Sequence, residues 1–169
     1  MDLFMEHIVK HKRQTKDYVM IALSVFLGLV LLFLSPIILT IQMLASLWLL
    51  VVAGIIFLVF FLIKRTDIEF EYILTNKELD IDRITAKSRR KRAYTIDFSA
   101  VDICAPVATH KSELARQAYK TLDCTGMGVG DIYFADITSE TGVTRVLFEP
   151  PVDFIESVKR YNPSKIFTA

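Results

Sequence analysis

From Tyr18 to Ile63 the chain carries no Asp, Glu, Lys, Arg or His, a gap of 46 residues in a 169-residue sequence that is 23% charged overall. Such a gap excludes an ordinary amphipathic soluble helix over that stretch. It also argues against a pump or proton relay, which needs an ionisable group within the apolar segment. Cysteine is scarce too: Cys104 and Cys124 stand alone, too few for a disulfide framework, and they are expected to be small buried hydrophobes. The three histidines are His7, His11 and His110. His7 and His11 are four apart, but no third ligand accompanies them, so no metal is expected. His110 is followed by Lys111, with no serine elbow or metal spacing around it, and neither an enzyme nor a cofactor is expected.

A spanning helix needs about 20 apolar residues to cross about 30 Å of hydrocarbon, so the uncharged stretch suffices for two crossings and a turn. Ser35, Pro36, Thr40 and Gln42 mark the turn, since Pro36 has no amide proton and the polar side chains favour water or headgroups. The expected transmembrane helices are 18–34 and 43–63. The first apolar run is too long for a cleaved signal, and no small-residue cleavage site follows it. Lys10, Lys12, Arg13 and Lys16 precede the first helix, Lys64 and Arg65 follow the second, and the turn has no basic residue. The positive-inside rule then places both termini in the cytoplasm, at the cell membrane. Ser24 and Gly28 lie at a depth similar to Ala53 and Gly54, and small residues allow close helix approach. These four are expected to meet within the chain, a dimerisation face being the alternative use.

Residues 1–17 read as a short interfacial helix. At 100° per residue Phe4, Met5, Ile8 and Val9 share one side, and Lys10 to Lys16 lead into the bilayer. After Arg65 the pattern changes to short alternating runs: 67–74, 78–84, 91–97, 100–106, 119–125, 131–137 and 143–149. Alternation with one wet face implies seven antiparallel strands in a small sandwich or barrel. Thr109 to Gln117 reads as a loop or short helix. Pro150-Pro151 opens a last helix, Asp153 and Lys159-Arg160 match its dipole, and Asn162-Pro163 stops it. Its stripe of Phe154, Ile155 and Val158 can cap the sandwich. The domain from residue 64 to 169 is therefore all-β with one capping helix, an α+β arrangement.

Seven strands and a capping helix resemble the pleckstrin-homology-like fold. The hairpin Tyr72-Ile73-Leu74-Thr75-Asn76-Lys77-Glu78-Leu79 is similar to the opening hairpin of bacterial membrane-tethered versions of that domain. Through Met5-Glu6-His7-Ile8-Val9-Lys10 and Lys159-Arg160-Tyr161-Asn162-Pro163 the whole chain resembles an uncharacterised family of small Gram-positive membrane proteins. That resemblance implies a fold and a membrane location, with no assigned activity. Phosphoinositide recognition would need several basic residues at the first hairpin turn, where Lys77 stands beside Glu78 instead.

One basic cluster remains, Lys87, Arg89, Arg90, Lys91 and Arg92. Contact with anionic lipid headgroups, protection of a sheet edge, and an acidic partner are all open to it. No aromatic residues interleave with it, so nucleic acid is not an expected partner. Gly126-Met127-Gly128-Val129-Gly130 has the look of a phosphate loop but lies between strands rather than opening a helix, so a flexible connection is expected. The functional expectation is a non-catalytic, membrane-anchored module that binds a protein partner, with a strand added at a sheet edge as one mode. A lipid-contacting, membrane-organising module and an accessory subunit of a membrane enzyme or transporter are the alternatives.

Overall fold

A computed structural model describes residues 3–40, 45–128 and 130–168. In chain order the elements are β1 (Phe4–Lys10), α1 (Thr15–Leu34), 3-10 turns at Ser35–Thr40 and Ala45–Leu47, and α2 (Trp48–Lys64). Then come β2 (Ile68–Thr75), β3 (Glu78–Thr85), β4 (Arg89–Asp97), β5 (Ile103–Pro106), α3 (Lys111–Leu114), β6 (Lys120–Asp123), β7 (Tyr133–Ser139), β8 (Gly142–Phe148) and α4 (Val152–Lys159). They divide into two units: Arg13–Asp67, and Met1–Lys12 together with Ile68–Ala169.

The helical unit starts at a capping box in which the Gln14 N–H donates to Asp17 Oδ2 at 2.8 Å, occupying an amide that the helix leaves free. The 23-residue segment Thr15–Ile37 is long and apolar enough to cross a bilayer. α2 has 17 residues, a little short of the about 20 that a full crossing takes. Ser35 Oγ donates to the Leu32 carbonyl at 2.8 Å and accepts from Trp48 Nε1 at 3.2 Å, so the Ser35 hydroxyl of the expected turn is satisfied locally. Gln42 and the first residues of the expected second span lie outside the described residues.

The other unit holds two four-stranded sheets, in the orders β1-β2-β3-β4 and β5-β7-β8-β6. All seven expected strands form, with shifted ends, and two expectations are corrected. The N-terminal segment is not a helix. Phe4–Lys10 is an eighth strand, antiparallel to β2 from Phe4↔Thr75 to Lys10↔Glu69. Its apolar residues fit either period, but as a strand Met5 and Val9 pack against the core while covering the edge of β2. The strands are also not all antiparallel, because β6 runs parallel to β8.

The core lies between the sheets. Phe70, Tyr72 and Leu74 of β2, Leu79 and Ile81 of β3 and Ile96 of β4 meet Val146 and Phe148 of β8. Helix α4 contributes Phe154, Ile155 and Val158, as its stripe predicts. In the first sheet β1 and β3 end, and β2 and β4 begin, at one and the same end, near Lys10, Ile68, Thr85 and Arg89. That is the end at which the chain departs for residues 13–67 and returns from them.

Candidate functional site

The glycine loop after β6 has its function written in the backbone. Gly126, Gly128 and Gly130 donate their N–H groups to the Glu149 carboxylate at 3.0, 3.1 and 2.5 Å. The loop thus is an anion-binding nest, filled by a side chain of the same chain. Gly126 is required there, since a Cβ would stand 2.8 Å from Glu149 Oε2 and 2.9 Å from the Val9 Cβ. Val129 lies outside the described residues. Tyr72 ties this corner to the core: its buried hydroxyl donates to the Cys124 carbonyl at 2.6 Å and accepts from the Glu149 N–H at 3.1 Å. The expectation of a flexible connection is corrected, because the loop is held by a buried carboxylate. The triple glycine spacing was the available signal, and its acceptor lies 19 to 23 residues away.

Beside this corner runs a groove of about 370 Å³ between β1, from His7 to Lys10, and Met127, Gly130 and Glu149 to Pro151. β1 ends its sheet, so among the described residues no strand pairs with its outer edge. Ile8 is 52% exposed and Met127 55% exposed, and both line the groove; Val152, next to Pro151, is 67% exposed. These large apolar side chains stand exposed around the groove. Ile8 is not a site candidate from sequence, because the helical period of Phe4 to Val9 assigns it to a membrane-facing stripe.

The strand register divides the five residues of the basic cluster between two faces and a turn. Strand alternation sends Arg90 and Arg92 to the outer face of the first sheet, where acidic residues of β2 and β3 await them. Arg90 Nη2 stands 2.8 Å from Glu71 Oε1 and 2.7 Å from Oε2. Arg92 contacts Asp80 and Asp82, each at 2.5 Å. Burial, then a hydrogen bond and repulsion from Glu6, raise the Glu71 carboxyl above its ordinary range despite the pull of Arg90. Arg89 and Lys91 point to the other face, and Arg83 of β3, a residue the sequence reading missed, is the register partner of Lys91. Lys87 sits in the turn, where it and Ala86 both take φ of 56° and the Ser88 N–H closes onto the Thr85 carbonyl.

A polar pocket of about 580 Å³ lies over the second sheet, lined by Glu113, Arg116, Arg145 and Lys165 among others. Its buried arginine is fully engaged. Arg145 donates to both Asp136 oxygens at 2.7 and 2.6 Å and to the carbonyls of Glu113, Leu114 and Arg116, which pins the short helix α3 onto the sheet. Both cysteines are free and buried. Burial, then the neighbouring Asp123, pushes the Cys124 thiol up to about 12, and burial raises Cys104 as well. His11 Nδ1 lies 2.7 Å from the Thr125 carbonyl, and the His7 ring stands edge-on to Phe154.

In the helical unit the expected four-residue contact is corrected in part. Ser24 and Gly28 are buried, and a Cβ on Gly28 would meet Val59 Cγ2 at 2.5 Å. The partner on α2 is therefore Val59, while Ala53 and Gly54 are exposed and a Cβ on Gly54 would meet nothing within 4 Å. The Ser24 hydroxyl bonds to its own helix, at the Ile21 carbonyl.

The family model described as a bacterial PH-like domain (DUF6106) matches residues 1–168, so it takes in both the helices and the sheets. The chain belongs to this bacterial PH-like domain family. No curated protein and no solved structure matches it. In this member of the PH-like family the first strand precedes the helices and the remaining seven follow them.

Proposed function

We propose that the chain is a non-catalytic module, anchored in the cell membrane by a two-helix hairpin with both termini in the cytoplasm, whose PH-like domain binds a protein partner in the groove beside β1. The partner contributes an extended apolar segment that adds to the sheet edge, main-chain hydrogen bonds giving affinity and the groove giving choice of side chains. The observation that carries this reading is the coincidence of β1, the terminal strand of its sheet among the described residues, with a groove of about 370 Å³ flanked by exposed Ile8 and Met127. The anchoring rests on the uncharged stretch, the apolar segment Thr15–Ile37 and the basic residues bracketing both helices. Burial raises both thiols, which disfavours either cysteine as a nucleophile.

A photo-crosslinker placed at Ile8 or Met127 in intact cells is expected to capture one stoichiometric protein, lost when Ile8→Asp is combined with Met127→Asp. The same group at Tyr119, 75% exposed just before β6 of the other sheet, is expected to capture nothing comparable. An identical product from Tyr119 and Ile8, or none from either groove position, overturns the groove. A tag at the C-terminus that is reachable from outside unbroken cells overturns the orientation.

A further inference from the structure

We infer that Arg83, Lys87, Arg89 and Lys91 form a contact site for anionic lipid headgroups of the membrane in which the helices are anchored. The register separates these four from Arg90 and Arg92. Arg83 and Lys91 are direct cross-strand partners, Arg89 pairs with Thr85 on the same face, and Lys87 occupies the turn between them. All four side chains are exposed, and none forms an ion pair among the described residues. Like charges directly opposite each other across a strand pair are destabilising, so the fold bears a repulsion here that an external anion would relieve. On the other face of the same hairpin, acidic residues neutralise Arg90 and Arg92.

Place in the sheet selects the anion. The β3–β4 turn lies at the end of the sheet where β1 finishes and β2 starts. At that end Lys12 and Arg13 lead into the helical unit, and Lys64 and Arg65 lead out of it. Covalent linkage to a membrane-anchored segment keeps the domain at high effective concentration near lipid, so even a weak attraction for each residue becomes occupancy. The site therefore suits an extended array of negative headgroups and needs no pocket.

The inference rests on the membrane anchoring proposed above, and the test separates the two. The full-length chain is placed in nanodiscs of phosphatidylcholine alone and in nanodiscs that also contain phosphatidylglycerol, and acylation of each lysine is followed by mass spectrometry. Lys87 and Lys91 are expected to react at least about threefold more slowly in the anionic discs, with the difference abolished by about 0.5 M NaCl. Lys111, Lys120 and Lys159 are expected to react alike in both. Arg83→Gln with Arg89→Gln is expected to shrink the protection of the two lysines without altering the reference lysines. A chain that separates from both kinds of disc overturns the anchoring and this site with it. Equal reactivity of Lys87 and Lys91 in disc-bound chain overturns the lipid contact alone. Equal reactivity in discs with salt-sensitive protection in native membranes assigns the patch to an acidic protein and also overturns it.

Discussion

Glu149 and Glu71 are both buried carboxylates on the same domain, 6% and 2% exposed, and they are held by opposite means. Glu149 takes three backbone N–H groups from one loop, and those donors cannot rotate away. Glu71 relies on the tip of Arg90, whose side chain is 56% exposed, and it lies beside a second carboxylate, Glu6. Only one of the two Arg90 contacts has hydrogen-bond geometry, and Glu71 Oε2 is otherwise without a hydrogen bond among the described residues. The difference teaches that burial alone says little about a carboxylate's worth. A loop built of glycines is organised around its anion, whereas a strand residue merely tolerates one.

The largest effect should come from breaking the better-held site. Glu149→Ala leaves three amides facing a vacant corner and is expected to cost about 3 kcal/mol, since charge-assisted hydrogen bonds are involved. Urea-dependent pulse proteolysis of the full chain in detergent measures it. Arg90→Gln is expected to cost about 1–2 kcal/mol, because it strands a buried charge, and adding Glu71→Gln should recover most of the loss. That pair also carries a pH signature. The folded Glu71 value is raised above the unfolded one, so its contribution is fully present below the ordinary glutamate range and is lost as pH rises through the elevated value. Stability should therefore show a component that grows as pH falls through that elevated value and vanishes in Glu71→Gln. The smallest change sharpens the contrast from the side of the backbone. Ala86 adopts a φ of 56° without being glycine, so Ala86→Gly is expected to gain about 0.5–1 kcal/mol in the same assay.

The elements readable from sequence were those with a local period. The uncharged stretch, all seven downstream strands and α4 follow from alternation or spacing within about ten residues. The elements missed depend on partners far along the chain. Phe4–Lys10 satisfies a helical and an extended period equally, and only pairing with Ile68–Thr75, beyond the helices, decides between them. The basic cluster was legible as a cluster but not as two faces. Its division needs the register Arg83↔Lys91 and the irregularity between Ile81 and Asp82. The glycine loop was visible, while its acceptor became visible only once β8 brought Glu149 to it.

The helical unit is, in effect, a 55-residue insertion, Arg13–Asp67, within a β-hairpin whose strands are β1 and β2. During synthesis β1 leaves the ribosome first and must wait, unpaired, until everything to residue 75 has followed. Cutting the chain before residue 64 to obtain a water-soluble fragment would discard a core-packed strand and leave a sticky edge on β2. Excising 13–67 and splicing Lys12 to Ile68 through a short turn keeps the sheet whole. The His11 N–H already donates to the Ile68 carbonyl at 3.0 Å, so the splice need bridge only a few ångströms.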